Sequence, residues 1–255
     1  MQTFKEKNDP FVKHEPCPDQ SGCGSSDAFS RYESGSGYCF KCGLYEKSNG
    51  NVAHTSAPTQ LRRPLEMTGV VAAIPDRRIS HETCKKYNVT VEFDTEGKIA
   101  KHIYPYYATG SSEIKASKIR VVKSKDFFAT GTMNEGVGLF GQNTCRGKGK
   151  FITITEGELD ALSVAEMFDC KWDVVSLRSG AAAAAKEVKE NLEFLEGYDS
   201  VVVCFDADPA GQQAIDEIKD LFSPSKLKIC TLPVKDASDM LVAGREDELY
   251  KACLW

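Results

Sequence analysis

From residue 150 onward, short apolar segments alternate with segments of helical periodicity. The strand-like segments are Phe151–Thr155, Val174–Leu177, Val201–Phe205 and Leu227–Leu232. The helical segments that follow them in turn are Leu159–Phe168, Ala181–Leu195, Gly211–Phe222 and Glu246–Cys253. Apolar strands are buried on both faces, and the helices between them provide the crossovers that parallel strands require. This alternation predicts an α/β fold built on a parallel sheet.

Acidic side chains follow three of these strands at the point where each strand ends. Glu156 comes directly after the first strand, Asp206 and Asp208 after the third, and Asp236 after the last. The carboxyl ends of parallel strands form the crevice in which such sheets bind ligands. One such acid alone is best explained as a solvated loop residue, but three groups at three strand ends favour a Mg²⁺ site. Two Mg²⁺ ions can activate an attacking hydroxyl and stabilise a phosphoryl leaving group.

The segment before residue 150 has a different pattern. Its strand-like segments, Thr90–Phe93, Ile99–Tyr107 and Ile114–Val122, are separated by turn signals, and Ser80–Tyr87 is predicted to be a short helix capped by Ser80. Residues 98–128 carry seven lysines or arginines and two acidic residues, although the whole chain has a net charge of −5. This α+β segment is therefore basic, and together with the carboxylates it could hold a polyanion through divalent metal.

Four cysteines lie in a block of residues, 10–46, that is too small for an independent hydrophobic core. Cys17 and Cys23 are separated by five residues, and Cys39 and Cys42 by two. Four thiolates can enclose one zinc ion, and the binding energy can fold such a segment. The alternative is four reduced buried cysteines, and His14 is a further possible ligand. The other cysteines lack paired spacing and are predicted to be packing residues: Cys84, Cys145, Cys170, Cys204, Cys230 and Cys253.

Three further features describe the chain as a whole. Residues 47–64 have almost no apolar periodicity and are predicted to be a flexible linker, followed by one continuous globular region, 65–255. No apolar run approaches the ~20 residues that cross a bilayer, and the N-terminus lacks the apolar core of a secretory signal. Ten cysteines without such a signal indicate a reducing compartment.

The order strand-Glu-Gly-Glu-x-Asp and then strand-Asp-x-Asp-x-x-Gly resembles the Toprim fold. A four-cysteine ribbon before a basic subdomain and Toprim resembles DnaG-type primases, and most closely the primase half of the primase–helicases of T7-like bacteriophages. The segments that carry the resemblance are Pro16–Cys17, Cys23–Asp27, Arg78–Cys84, Leu139–Gly141, Thr155–Asp160, Phe205–Gly211 and Lys235–Ala237. It implies a Toprim-type parallel sheet at about 150–235, an N-terminal basic α+β subdomain, and a small β zinc ribbon before both.

The resemblance also implies roles for individual residues. Glu156, Asp206, Asp208 and Asp236 would bind catalytic Mg²⁺, with Asp160 in support. One structural zinc ion would be held by Cys17, Cys23, Cys39 and Cys42. Nucleoside triphosphates and the template would be bound by Arg77, Arg78, Lys118, Arg120, Lys123 and Lys125. Without the family, a solvated face explains these cations equally well. The spacer between Cys17 and Cys23 is three residues longer than the family's usual one.

The implied function is that of a DNA primase, which makes short RNA primers de novo from NTPs on single-stranded DNA, with the ribbon reading the template site. The implied partners are a replicative helicase and a DNA polymerase in the cytoplasm of an infected bacterial host, without a membrane. No Gly-x-x-x-x-Gly-Lys-Ser/Thr loop occurs, so a helicase half is not expected in this chain. The alternative is a non-catalytic Toprim and zinc DNA clamp of the recombination-mediator type.

Overall fold

The chain divides into two compact units, Met1–Arg62 and Arg63–Trp255. A computed structural model describes most of both units; the described residues are 10–19, 22–39, 42, 44–48, 50, 52–54, 63–133 and 136–254.

The first unit contains a five-stranded antiparallel sheet whose strands are neighbours in chain order. Its strands are β1 (Phe11–Glu15), β2 (Phe29–Tyr32), β3 (Gly37–Cys39), β4 (Leu44–Glu46) and β5 (Val52–His54). Only four described residues, Cys17, Phe29, Cys39 and Leu44, form its buried apolar cluster. A core this small cannot hold a domain together by burial alone, so the cysteines must contribute to its stability.

The ribbon sheet continues past the predicted boundary at residue 46. β5 pairs with β4, with Val52 opposite Glu46 and His54 opposite Leu44. The prediction of a flexible linker over 47–64 is therefore wrong for Val52–His54, while 55–62 lie outside the described residues. The composition of this segment does not reveal the strand, because β5 forms through backbone hydrogen bonds to β4, and these do not depend on which side chains the segment carries.

The first part of the second unit is an antiparallel sheet in the order β6-β7-β8-β9. Its strands are β6 (Thr90–Phe93), β7 (Ile99–Tyr107), β8 (Ile114–Val121) and β9 (Phe127–Gly131). Before it lies helix α1 (His81–Tyr87), whose first turn is capped by the Ser80 side chain accepting from the Thr83 N–H. The predicted capped helix and the first three strands are confirmed, and β9 was not predicted.

The rest of the second unit is a four-stranded parallel sheet in the order β11-β10-β12-β13. Its strands are β10 (Gly149–Thr155), β11 (Asp173–Ser176), β12 (Tyr198–Cys204) and β13 (Leu227–Ile229). Alternate residues of β12 divide between two apolar clusters, with Val201 and Val203 in one and Val202 and Cys204 in the other. The predicted parallel sheet with a core on both faces is confirmed.

Helices cover this sheet. They are α2 (Glu158–Met167), α3 (Ala184–Glu190), α4 (Leu192–Glu196), α5 (Pro209–Ile218), α6 (Ala237–Val242) and α7 (Glu246–Leu254). The prediction of one helix over 181–195 is wrong, because Asn191 separates α3 from α4. The Asn191 side chain donates to the Glu187 carbonyl at 2.8 Å, a local bond that competes with helix continuation.

None of the helices in the described part of the chain is long and apolar enough to cross a membrane.

Candidate active site and zinc-binding cluster

Two neighbouring strands of the parallel sheet are each followed by a carboxylate at the same edge of the sheet. β10 and β12 end side by side, with Thr155 opposite Cys204, so Glu156 and Asp206 leave the sheet next to each other. Glu156 Oε1 accepts from the Ala181 N–H at 3.3 Å. Glu156 Oε2 is buried and has no hydrogen-bond partner among the described residues. A buried carboxylate oxygen without a donor is costly, and a bound cation would satisfy it.

Two more acids are held in place by capping helices. Asp208 caps α5, where its Oδ1 accepts from the N–H groups of Ala210 at 3.0 Å and Gly211 at 2.9 Å. A Cβ on Gly211 would lie 2.2 Å from the Asp206 carbonyl oxygen, so this close approach requires glycine. Asp236 caps α6, where its Oδ1 accepts from the Asp239 N–H at 2.7 Å. Each cap orients its carboxylate and leaves the second oxygen for another partner.

The acids act on one another electrostatically. Asp160, in the first turn of α2, accepts from the Ser238 N–H at 3.0 Å, which ties α2 to α6. Burial, and next the charge of Asp236, raise the pKa of Asp160 to about 8. Burial and the charge of Glu156 raise the pKa of Asp206 to about 6, against the opposing effect of Lys235. Excess negative charge of this kind favours the binding of a cation.

Lys235 lies among these carboxylates; in the sequence it was named only within the segment Lys235–Ala237 and was given no role. Its Nζ lies 3.4 Å from Asp206 Oδ2 and 4.0 Å from Asp236 Oδ2. The nearby Asp206 raises the pKa of Lys235, so the lysine stays charged. In the described part of the chain, no three carboxylates place oxygens within 4.8 Å of one another. The oxygen-only donors and the unpartnered Glu156 oxygen fit a hard divalent cation.

We expect the metal-free protein to become less stable as the pH rises from about 5 to about 8. The folded-state pKa values of Asp160 and Asp206, about 8 and about 6, lie above the ordinary value of 3.8. The folded state therefore holds these protons more tightly, and that stability is present below pH 3.8 and is lost as the pH rises through 6 and 8. Thermal unfolding in the presence of chelator, repeated at several pH values, measures how steeply Tm falls with pH. Asp160→Asn should make this fall less steep. Equal slopes for the parent and Asp160→Asn would contradict this origin.

The two arginines before α1 have different positions. Arg77 Nη1 donates to Ser238 Oγ at 3.4 Å and lies 3.9 Å from Asp239 Oδ1, so Arg77 reaches α6 beside the acidic edge. Arg78 donates to the Leu241 carbonyl at 2.7 Å and pairs with Glu246 at 2.6 Å. The structure thus brings Arg77 to Ser238 and Asp239 of α6, whereas Arg78 contacts both α6 and α7.

The cations in and after β8 also have different surroundings. Lys118 Nζ lies 2.8 Å from Oε1 of the buried Glu158, which also accepts from the Tyr106 hydroxyl at 2.5 Å. Arg120 is only 7 % exposed, lies 5.8 Å from the centre of the Phe127 ring, and forms no ion pair with any described residue. The exposed Lys123 and Lys125 likewise pair with no acid in the described ranges. The internal pair of Lys118 with Glu158 was not predicted.

The four cysteines of the ribbon form one cluster. Their Sγ atoms all lie within 4.8 Å of one another, with Cys17 to Cys42 at 3.6 Å and Cys23 to Cys39 at 3.8 Å. Zinc–sulfur bonds of about 2.3 Å place tetrahedral sulfurs about 3.8 Å apart, so the cluster fits one zinc ion. Asp19 accommodates the long spacer, since its carbonyl accepts from the N–H groups of Cys23 and Gly24. His14 is not part of the group and is hydrogen-bonded to Ser30 Oγ at 3.1 Å.

Comparisons with known proteins agree with this architecture. A Toprim-like family model matches residues 153–241. The DNA helicase/primase of Enterobacteria phage T3 is 32% identical over 264 residues, covering 98% of this chain and 44% of the relative. The crystal structure of the primase fragment of the bacteriophage T7 primase-helicase protein is 31% identical with a TM-score of 0.70, covering 96% of this chain and 100% of that one.

A second T7 structure contains the lagging-strand DNA polymerase interacting with primase domains bound to an RNA/DNA hybrid and dTTP. It is 33% identical with a TM-score of 0.66, covering 73% of this chain and 92% of the other. This chain spans less than half the length of the phage T3 relative. Its sequence and fold are similar to those of the T7 primase fragment over the whole length of that fragment. The chain therefore belongs to the phage primase–helicase family, and what it contains is the Toprim-bearing primase region.

Proposed function

We propose that this chain is a DNA primase that makes short RNA primers de novo from NTPs on single-stranded DNA. The observation that carries the proposal is the oxygen-only edge of the parallel sheet, with the buried and unpartnered Oε2 of Glu156. A non-catalytic DNA clamp does not need a buried carboxylate oxygen without a donor. Support also comes from the match to a primase fragment over that fragment's full length.

Glu156, Asp206, Asp208 and Asp236 are the residues that would hold catalytic Mg²⁺. When bound, the metal would supply charge stabilisation for the phosphoryl oxygens and ease deprotonation of the attacking ribose hydroxyl. The caps made by Asp208 and Asp236 fix the orientation of both carboxylates. Asp160 holds α6 against α2 through the Ser238 N–H. Lys235 Nζ lies 3.4 Å from Asp206 Oδ2 and would balance the charge of Asp206 while no metal is bound.

Arg120 is the strongest candidate for a phosphate contact in the basic segment. A buried guanidinium without a carboxylate partner is stabilised by an anion, and a nucleic-acid or triphosphate oxygen has the right charge and geometry. The exposed Lys123 and Lys125 follow Arg120 in the sequence and are further candidates for phosphate contacts. Arg77 is placed beside Ser238 on α6 and would meet the incoming triphosphate. Lys118 and Arg78 already have protein partners and would contribute mainly through structure.

The ribbon would read the template site. Its zinc ion would be structural, because all four cysteines are used as ligands and no position stays open. Phe11 on β1 is 52 % exposed and its ring lies 4.7 Å from the His14 ring and 6.5 Å from the Tyr32 ring. Exposed aromatic rings of this kind can stack single-stranded bases. Phe29 by contrast is buried in the core.

A replicative helicase and a DNA polymerase are the proposed protein partners. The helicase follows from the phage T3 relative, a DNA helicase/primase of more than twice this length. The polymerase follows from the T7 complex, in which primase domains interact with the lagging-strand enzyme. Phage replication proteins of this kind would act in the cytoplasm of the infected bacterium.

Primer synthesis tests the proposal directly. The chain is incubated with NTPs, Mg²⁺ and single-stranded DNA of varied sequence, and the products are resolved by length. We expect short oligoribonucleotides that depend on template and Mg²⁺. Binding of DNA without any product, on templates covering all triplets, would instead support the clamp.

Arg120→Ala should weaken template binding by about tenfold, since charge-assisted hydrogen bonds contribute roughly 1.5–3 kcal/mol each. It should also reduce the slope of log binding constant against log salt concentration by about one, because one phosphate contact is lost. Fluorescence anisotropy with labelled single-stranded DNA at several salt concentrations measures both. Lys98→Ala is the matched control, because Lys98 belongs to the same basic segment but pairs with Glu96 at 2.8 Å. Equal affinities for the two variants would make Arg120 a structural residue.

A further inference from the structure

Three cysteines outside the ribbon converge at one point of the second unit. Cys204 is the last residue of β12, Cys230 follows β13, and Cys253 lies in α7. All three are buried, and their Sγ atoms lie within 4.8 Å of one another. The Sγ atoms of Cys230 and Cys253 are 3.7 Å apart. The convergence is invisible in the sequence because the three residues come from separate elements.

The sulfur spacing matches that of the ribbon in the same chain. The distance of 3.7 Å lies between the 3.6 Å and 3.8 Å of the two close ribbon pairs. The other three cysteines of the second unit, Cys84, Cys145 and Cys170, belong to no such group among the described residues. Packing alone explains one buried thiol as a small apolar side chain. It does not explain why three separate elements each place a sulfur within 4.8 Å of the other two.

The donor set selects the kind of ion. It contains only sulfur, which favours soft thiophilic metals over Mg²⁺ or Ca²⁺. No histidine, aspartate or glutamate of the described chain joins the group, so the protein offers three ligands. The surrounding cluster is apolar and includes Leu232, Met240 and Leu249. Three thiolates around a divalent ion leave one net negative charge, less than the two of a four-cysteine zinc site, so burial is tolerable.

We infer that Cys204, Cys230 and Cys253 form a second metal site, which takes a thiophilic divalent d¹⁰ ion such as Zn²⁺ in three-sulfur coordination. Each ion bound displaces the three thiol protons into solvent, and no oxidant takes part. The ion would link α7 to the ends of β12 and β13. Its ligand at the end of β12, Cys204, lies two residues before Asp206. This assignment does not depend on the proposed primase activity.

Cadmium, a spectroscopic substitute for soft d¹⁰ ions, tests the inference. The full chain is stripped of metal with chelator under reducing conditions and titrated with ¹¹³Cd²⁺, with bound metal counted by elemental analysis. We expect two ¹¹³Cd resonances from sulfur-bound ions, one from four sulfurs and one from three, separate from any resonance of an ion at the oxygen-only acidic edge. Cys253→Ser should lose one ion and the three-sulfur resonance. Cys84→Ala, which removes a buried cysteine outside the cluster, should keep both.

A complementary variant covers the case in which Cys253→Ser does not fold. Cys39→Ser removes a ribbon ligand and should abolish the four-sulfur resonance while the three-sulfur resonance persists. A single sulfur-bound resonance in the parent chain would overturn the inference, as would a three-sulfur resonance that survives in folded Cys253→Ser. So would a parent chain in which mass spectrometry finds Cys230 and Cys253 joined in a disulfide under the same reducing conditions.

Discussion

Asp206→Asn is expected to reduce primer synthesis by about a thousand-fold while the protein stays folded. Metal ions supply several kcal/mol of charge stabilisation in phosphoryl transfer, and each 1.36 kcal/mol corresponds to a factor of ten in rate. An amide is a much poorer ligand than a carboxylate for a hard cation. Asp206 lies two residues beyond the end of β12, and its pKa is raised to about 6 by burial and by the charge of Glu156. Removing its charge therefore relieves repulsion, and stability should not fall.

The same strand offers a matched control. Asp199 lies in β12 at the end away from the acidic edge and is exposed. Asp199→Asn changes the net charge equally and should leave primer synthesis within about twofold of the parent. Both variants are assayed over a Mg²⁺ titration, and template binding is measured separately. If Asp206→Asn synthesises primers as fast as Asp199→Asn at every Mg²⁺ concentration, the assignment of the metal site is wrong. Loss of template binding along with synthesis would indicate a folding defect instead.

The acidic edge could be predicted because its signals are local in the sequence. Apolar strands that run directly into Glu156 and Asp206 place both side chains at the sheet edge whatever the remaining chain does. The caps made by Asp208 and Asp236 are local as well, since each accepts from N–H groups within three residues. The four-cysteine cluster of the ribbon was predictable for the same reason, because its cysteines come in two pairs.

The features that escaped prediction depend on contacts between distant segments. Lys118 meets Glu158 only after β8 has packed against the start of α2, and no spacing rule connects the two residues. The three-cysteine cluster joins residues from β12, α7 and the segment after β13. The strand Val52–His54 forms because β4 offers it a free edge. In each case the local sequence around one residue gives no indication of its partner, because the two segments meet only in the folded protein.

The ion pair of Lys118 with Glu158 leads to a second large effect, this time on stability. Lys118→Met should destabilise the second unit by roughly 2–4 kcal/mol, because it leaves the Glu158 carboxylate buried without its cation. The side chain of Glu158 is 4% exposed and that of Lys118 is 20% exposed, so the pair is only slightly screened by water. The Tyr106 hydroxyl would still donate to Glu158 at 2.5 Å, which keeps the loss below that of a fully isolated charge.

Urea unfolding followed by tryptophan fluorescence reports this unit, since both tryptophans of the chain, Trp172 and Trp255, belong to it. Lys125→Met, at an exposed position of the same basic segment, should change stability by no more than about 0.5 kcal/mol. Adding Glu158→Gln to Lys118→Met removes the unpaired charge yet keeps an acceptor for Tyr106, so the double variant should regain most of the lost stability. If Lys118→Met is as stable as Lys125→Met but binds NTPs more weakly, Lys118 is a ligand-binding cation and its contact with Glu158 is incidental. Recovery of stability in the double variant would instead show that Lys118 acts through the fold, by balancing the charge of the buried Glu158.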